Sequence, residues 1–279
     1  GHNSVLLPEI LGLIATMGLA GAIAGVTAGL FGVGGGFVIV PALLAVFPWF
    51  SDAPEKLIYV AIGTSLASIV VSSARAVQAH RQRGAVDFGV LKDWCMWLLL
   101  GVGVGLYIAS VTDGRRLYLV FASGVLAYSL YFLFPGLFSH VTRSLSMPRG
   151  ATRAGLASFL GGFSALLGIG GGTVTVMTMV MCNRPVHQAV ATAAGVGFII
   201  GLPGALGFLI LGLGVEGLPY GSVGYINVPA LVAISALSVF TAPVGARWAH
   251  SLDEVRLKRL FGIYLVLVSA AMYYKSFSV

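Results

Sequence analysis

Uninterrupted apolar stretches near 57–79, 91–110, 116–135, 187–213, 226–249 and 256–275 constrain this chain more than any other feature of it. A hydrocarbon core of ~30 Å takes about 20 residues of helix to cross, and these stretches have that length. Their continuity excludes a membrane barrel, which needs short alternating strands separated by turns. With 58% hydrophobic residues, 9% charged residues and a mean hydropathy of +0.97, too few polar side chains remain to coat a soluble domain of 279 residues. The expected fold class is an all-α polytopic membrane protein.

Two further apolar blocks, 5–47 and 151–182, do not read as ordinary spans, because a glycine cluster breaks each one. Leu30-Phe31-Gly32-Val33-Gly34-Gly35-Gly36 in the first recurs as Leu166-Leu167-Gly168-Ile169-Gly170-Gly171-Gly172 in the second. The apolar runs that follow, Phe37 to Phe47 and Thr173 to Cys182, are too short to cross alone. Each block is therefore expected to form a long helix, an unwound turn and a short helix that enters the bilayer near its middle. Such a break is tolerated only where it is buried in protein or lines a cavity.

The repetition continues beyond the glycines. Ala61-Ile62-Gly63-Thr64 matches Ala189-Val190-Ala191-Thr192, and Gly84-Ala85-Val86-Asp87 matches Gly224-Tyr225-Ile226-Asn227. Val104-Gly105, Asp113, Arg116 and Phe121 match Val244-Gly245, Asp253, Arg256 and Phe261. The chain thus divides into a first transmembrane repeat, 5–138, a polar linker, 139–149, and a second repeat, 150–279. Each repeat holds a glycine-broken long and short helix pair followed by three spanning helices.

Basic residues set the expected orientation. Arg81, Arg83, Lys92, the linker-region Arg143, Arg149 and Arg153, then Arg184, Arg247, Arg256, Lys258 and Arg259 are expected on the cytoplasmic side; Lys56, Arg115, Arg116 and Lys275 fall outside. The connection 80–90 is basic, whereas its counterpart 214–225 has no Lys or Arg. Equivalent loops on opposite faces imply two repeats of inverted topology. The net charge of +7 then expresses loops facing anionic lipid, not nucleic-acid binding.

The paired glycine segments, Ala61-Ile62-Gly63-Thr64-Ser65 and His80-Arg81-Gln82-Arg83-Gly84-Ala85-Val86-Asp87 resemble the TauE/SafE sulfite-exporter family of bacterial membrane proteins, from about residue 10 to 275. The resemblance implies a multi-pass permease of the bacterial inner membrane that exports sulfite, sulfoacetate or another small sulfur-containing or organic anion. The second half departs from the first: Ala193 stands opposite Ser65, and no His-Arg cluster precedes Gly224.

An anion site also follows from the residues themselves. Short helices starting at Phe37 and Thr173 present unpaired amides and a partial positive charge, and Gly34, Gly35, Gly36, Gly170, Gly171 and Gly172 let a ligand approach the backbone. Thr64, Ser65 and Thr192 add neutral hydroxyl donors, and Arg75 lies in the interior half of the 57–79 span with Ser72 and Ser73 beside it. The competing readings are close helix packing for the glycines, hydroxyl bonds to a carbonyl one turn back, and snorkelling of Arg75 to the interface. Gly21, Gly25 and Gly29 suit such packing.

None of the nine acidic residues lies mid-span, which argues against a carboxylate proton relay. Cys95 and Cys182 lack metal or redox spacing, and His2, His80, His140, His187 and His250 lie near ends or connections, so no metal or other cofactor is expected. The glycine cluster lacks the strand context of a dinucleotide fingerprint and the Lys-Ser/Thr of a phosphate loop. Trp49, Trp94, Trp248, Tyr273 and Tyr274 suit an interfacial belt. The resulting expectation is a non-enzymatic transporter with a central site at two opposed helix starts, working by alternating access. An anion channel and a membrane-embedded redox enzyme are the alternatives, and a homodimer is left open.

Overall fold

The computed structural model describes residues 3–31, 35–134, 145–251 and 253–279. Ten α-helices account for nearly all of them: α1 (Asn3–Phe31), α2 (Gly36–Val46), α3 (Leu57–Gln82), α4 (Phe88–Val111), α5 (Gly114–Leu133), α6 (Gly150–Leu167), α7 (Gly172–Met181), α8 (Val186–Leu211), α9 (Val228–Ser251) and α10 (Glu254–Ser278). A two-residue hairpin, β1 (Ser222–Val223) with β2 (Ile226–Asn227), is the sheet among the described residues. Among the described residues seven helices are long and apolar enough to cross a membrane, while Gly36–Phe50 and Gly172–Met181 are apolar but short. The protein is an all-α polytopic membrane protein. The linker residues 139–144 lie outside the described residues.

Packing is reciprocal between equivalent elements. Helix α1 packs along α9 and α6 along α4, while α3 packs against α8 and α5 against α10. Small residues make the first two pairings possible. A methyl on Gly25 would lie 2.7 Å from the Ser238 carbonyl oxygen, and one on Gly161 would collide with the Leu98 carbonyl. In the same way Gly245 packs on the Val26 carbonyl, and Gly105 on the Gly162 carbonyl at 2.8 Å. The sequence repeat aligns Gly25 with Gly161 and Gly105 with Gly245, so the same backbone approach occurs twice. Gly21 also packs in this seam, against Ile234; the side-chain surroundings of Gly29 lie outside the described residues.

Polar contacts repeat the exchange. The Asn227 N–H donates to Thr64 Oγ1 at 2.9 Å, and the Asp87 N–H donates to Thr192 Oγ1 at 3.0 Å. Asp87 then caps α4 by accepting from the Val90 amide at 3.2 Å, and Asn227 starts α9 by accepting from the Ala230 amide at 3.0 Å. Gly84 and Gly224, three residues before each cap, are left-handed at φ +66 and +56. Asp113 and Asp253 cap α5 and α10, each beside an arginine three residues on. These caps explain where the spanning helices start.

Contacts also sort the connections into two ends. At one end Ser51 Oγ and the Asp52 N–H both donate to the Gly217 carbonyl, at 2.5 and 3.2 Å, Tyr59 stacks on Tyr225 with ring centroids 5.1 Å apart, and the Tyr59 hydroxyl donates to the Thr112 carbonyl. At the other end Asp87 pairs with Arg184 at 3.2 Å and accepts from Gln188, and Asp93 pairs with Arg153 at 3.4 Å. Trp49, Trp248 and Tyr274 are exposed, as an interfacial belt requires. Trp94 is not: it is buried in a core cluster with Leu98, Val196 and Ile200, because its face of α4 turns toward α6 and α8.

Replacing Thr64 or Thr192 by Val leaves a buried amide without an acceptor, a loss of about 1–3 kcal/mol. Both variants are expected to unfold at lower temperature in detergent than Thr178→Val, whose hydroxyl only returns to the Val174 carbonyl of its own helix. Equal melting of all three would remove the stabilising role of the paired hydroxyls.

Candidate functional site

The two breaks are built differently. In the second, Gly168 ends α6 at φ +72, and both its own N–H and that of Ile169 return to the Ser164 carbonyl. Gly171, also at φ +72, precedes α7, whose first internal bond runs from the Thr175 N–H to the Gly171 carbonyl at 3.2 Å. Two left-handed residues within four positions explain why glycine stands at both. In the first break, residues 32–34, including Gly34, lie outside the described residues. Gly35 precedes α2 at φ −97 and ψ −2, which any residue adopts. Space is what restricts Gly35, since a methyl there would lie 3.0 Å from Ala24 Cβ and Ile39 Cδ1.

The start of α2 meets the turn that precedes α7. The Val38 and Ile39 amides donate to the Gly35 carbonyl, so the Gly36 and Phe37 amides have no acceptor within α2; Gly172, Thr173 and Val174 stand in the same position on α7. A methyl on Gly36 would lie 2.6 Å from the Gly168 carbonyl oxygen and 2.9 Å from Ile169 Cγ2. Ser65 Oγ, on α3, donates to that same Gly168 carbonyl at 2.6 Å. Gly170 rests against Gly197 of α8, with 3.3 Å from its methyl position to the Gly197 Cα. Tyr128 of α5 packs edge-on against the Phe37 ring, centroids 5.0 Å apart, and shares with Thr173 the wall of a cavity of about 260 Å³. A separate hollow of about 510 Å³ is formed by the 212–224 connection and touches neither glycine turn.

The other candidates from the sequence are distributed. Thr64 and Thr192 are fully buried and accept the Asn227 and Asp87 amides described above. Arg75 is exposed on α3, ten residues or about 15 Å along the helix from Ser65. Two polar groups not read from the sequence do lie at the turns. Ser164 Oγ is buried without a partner, 3.1 Å from where a Gly171 methyl would be, and the Tyr128 hydroxyl is likewise buried and unpaired. The signal for Tyr128 was a hydroxyl midway along an apolar helix; for Ser164 it was a hydroxyl one turn before the glycines.

Prolines explain how α2 is held. Pro41 has no N–H, so the Phe37 carbonyl loses its partner within the helix, and the Tyr264 hydroxyl of α10 donates to it at 3.1 Å. Pro48 does the same to the Leu44 carbonyl, which Lys275 Nζ of α10 satisfies at 2.7 Å. Tyr264→Phe should therefore cost about 1–3 kcal/mol by orphaning a buried carbonyl. Pro41→Ala restores an amide four residues after Phe37, so the double variant is expected to recover most of the loss in thermal unfolding. Additive losses would assign Tyr264 to packing alone.

A protein-family profile described as sulfite exporter TauE/SafE matches residues 17–272. A probable membrane transporter protein of Haemophilus influenzae is 33% identical over 259 residues, covering 92% of this chain and 97% of its own. Probable membrane transporter proteins of Methanocaldococcus jannaschii and Bacillus subtilis are each 24% identical, over 271 and 278 residues, and cover 95% and 91% of this chain and 97% and 95% of their own. No solved structure matches the chain. A match over nearly the whole length, on a bundle with two glycine-broken helices brought together, makes this protein a member of the TauE/SafE sulfite exporter family of membrane transporters.

Proposed function

We propose that the protein exports a small sulfur-containing anion, sulfite or a short organosulfonate such as sulfoacetate, across the bacterial inner membrane. The observation that carries this reading is the meeting of the α2 start with the turn that opens α7, at Gly36 and Gly168. Amides that lack an acceptor within their own helices would offer an oxyanion neutral donors in a low dielectric, without a buried lysine. Glycines Gly35, Gly36, Gly170, Gly171 and Gly172, with Phe37, Thr173 and Ser65, form this site; Thr64 and Thr192 hold the helices around it, and Arg75 draws anions toward it. The chain is read as two inverted repeats, 5–138 and 150–279, joined by a cytoplasmic linker, 139–149. The reciprocal contacts of α1 with α9 and of α6 with α4 support this reading.

Alternating access is supported by an asymmetry between equivalent stretches. On α3, Val71, Ser72 and Arg75 are exposed, whereas at the matching positions of α8 Ile200 is buried and Ile199 and Pro203 are partly covered; Ala74 and its counterpart Leu202 are both exposed. Polar Ser72 and Arg75 belong in a water-filled vestibule more readily than against lipid tails. The opposite end is strapped by Ser51 and Asp52 onto the Gly217 carbonyl. A cysteine at Ser72 is expected to label rapidly from the cytoplasmic side in membrane vesicles, and one at Ile200 slowly from either side. Equal rates would argue against an inward-open resting state.

Selectivity follows from neutral donors. Two helix starts, each worth roughly half a positive charge, balance about one negative charge. A monoanion is then favoured over dehydrated sulfate. Flux in proteoliposomes with sulfite, sulfate, thiosulfate and sulfoacetate tests this. Lowering pH converts sulfite toward its monoanion, so its apparent affinity should rise as pH falls, with sulfate weaker throughout. Sulfate bound as tightly as sulfite, with neither responding to pH, would remove charge balance as the basis of preference.

A further inference from the structure

One face of α3 is polar along much of its length, and the sequence repeat does not reproduce it. Ser65, Ser68, Ser72 and Arg75 stand at i, i+3, i+7 and i+10 and fall within about a quarter of the helix circumference. The register that sets Thr64 opposite Thr192 sets these four opposite Ala193, Val196, Ile200 and Pro203 of α8, all apolar. The neighbouring helices differ in the same sense. Leu98 and Val102 of α4 and Leu160 of α6 are buried in one core cluster with Val196 and Ile200, whereas their counterparts are Ser238 and Ala242 of α9 and Ala24 of α1. Helix α3 packs against α9 and α9 along α1, as α8 packs against α4 and α4 along α6. One seam is thus filled with branched hydrocarbon, and its equivalent is built from serine and alanine.

Burial follows the chemistry. Val196, Ile200 and Leu98 are 0% exposed. On the other seam Ser72 and Arg75 are exposed and Ser238 and Ala242 are partly buried. Cover closes only at Ser68 and Ser65, where the Ser65 hydroxyl meets the Gly168 carbonyl. The Ser68, Ser72 and Ser238 hydroxyls return to carbonyls one turn back, at 2.8, 3.2 and 3.2 Å. Such bonds satisfy a hydroxyl in lipid, but they explain neither an arginine on the same face nor hydrocarbon at every equivalent position.

We infer that the seam between α3 and α9 is the passage by which the anion moves between the glycine turns and the basic end of the bundle. Ser68, Ser72 and Ser238 are its hydroxyl lining, Arg75 stands at its mouth, and Ser68 marks its narrowest point. The inference rests on the export reading above and adds to it a route and the residues that line the route. Turned from its carbonyl toward the seam, each hydroxyl can donate to an anion that has shed part of its water.

The test uses the full chain in proteoliposomes, with Cys95→Ala and Cys182→Ala, and has two arms. In the first, cysteines placed singly at Ser68, Ser238, Val196 and Leu98 meet a membrane-impermeant thiol reagent. Those at Ser238 and Ser68 should react from the basic end, Ser238 the faster, while those at Val196 and Leu98 stay unmodified. In the second, sulfite flux is followed through Ser68→Val, Ser72→Ile and Ser238→Leu, each carrying the residue of the other seam. Flux should fall on the order of ten- to a hundredfold, the loss expected when a charged group forfeits a hydrogen bond. Melting temperatures should hold or rise, since the new side chains add apolar burial. Ser110→Leu, whose hydroxyl returns to the Tyr107 carbonyl on an exposed face of α4, should keep its flux. Cysteines at Ser68 and Ser238 that react no faster than those at Val196 and Leu98 overturn the inference, and so does unchanged flux in all three seam variants. Cross-linking between copies through cysteines at Ser72 assigns the polar face to a dimer contact and overturns it as well. Flux with a closed seam defeats this inference alone, whereas absence of flux for sulfite, sulfate, thiosulfate and sulfoacetate defeats the export reading and this inference with it.

Discussion

A backbone amide or carbonyl at membrane depth has no water to bond with, and that constraint decides most of this structure. A helix satisfies it everywhere except at its ends, and α2 and α7 are short helices whose ends must be covered by protein. Each loose group described has a particular solution. The Gly168 carbonyl takes the Ser65 hydroxyl, and the Phe37 and Leu44 carbonyls, released by Pro41 and Pro48, take Tyr264 and Lys275. The amides that open α2 and α7 have no carbonyl within their own helices. Carbonyls are thus matched from neighbouring helices.

The second constraint is that backbone approach requires small residues at both members of a seam. Gly25 on the Ser238 carbonyl and Gly161 on the Leu98 carbonyl are one contact made twice, and Thr64 with Asn227 and Thr192 with Asp87 are another. A repeated contact need not be chemically identical. Asn227 uses its amide to bind Tyr220 and Ser222, while Asp87 uses its charge to hold Arg184 and Gln188. The basic end is therefore fastened by an ion pair, and the other end by neutral bonds onto Gly217.

Much of this was legible in the sequence because lipid removes alternatives. Apolar length located the spans, and the glycine clusters located the two breaks with helices starting at Gly36 and Gly172. What the sequence did not carry was which partner each polar group would find. Thr64 and Thr192 are at equivalent places as read, but their hydroxyls accept amides from across the bundle, a fact that depends on which helices meet. Trp94 looked interfacial from its place near a helix end and is buried because α6 and α8 cover that face. Tyr128 and Ser164 were passed over for the same reason: a lone hydroxyl in an apolar helix gains meaning only from what packs beside it.

The asymmetry between the breaks bears on how such a site could work. Helix α2 is tied to α10 by two bonds onto proline-released carbonyls, whereas α7 has no proline within it and packs mainly along α8. Its turn instead depends on two left-handed glycines and on a serine whose hydroxyl is unpaired. A site with one pinned wall and one wall held by backbone geometry can change shape on the second side without unpicking the first. Because α8 carries both the packing surface for α7 and Thr192, which binds the Asp87 amide, a shift of α7 along α8 would be felt at the ion-paired end of the bundle. The geometry thus links the turn before α7 to the end where Asp87 and Arg184 meet by a continuous run of packed backbone, the kind of rigid connection through which two arrangements can be coupled.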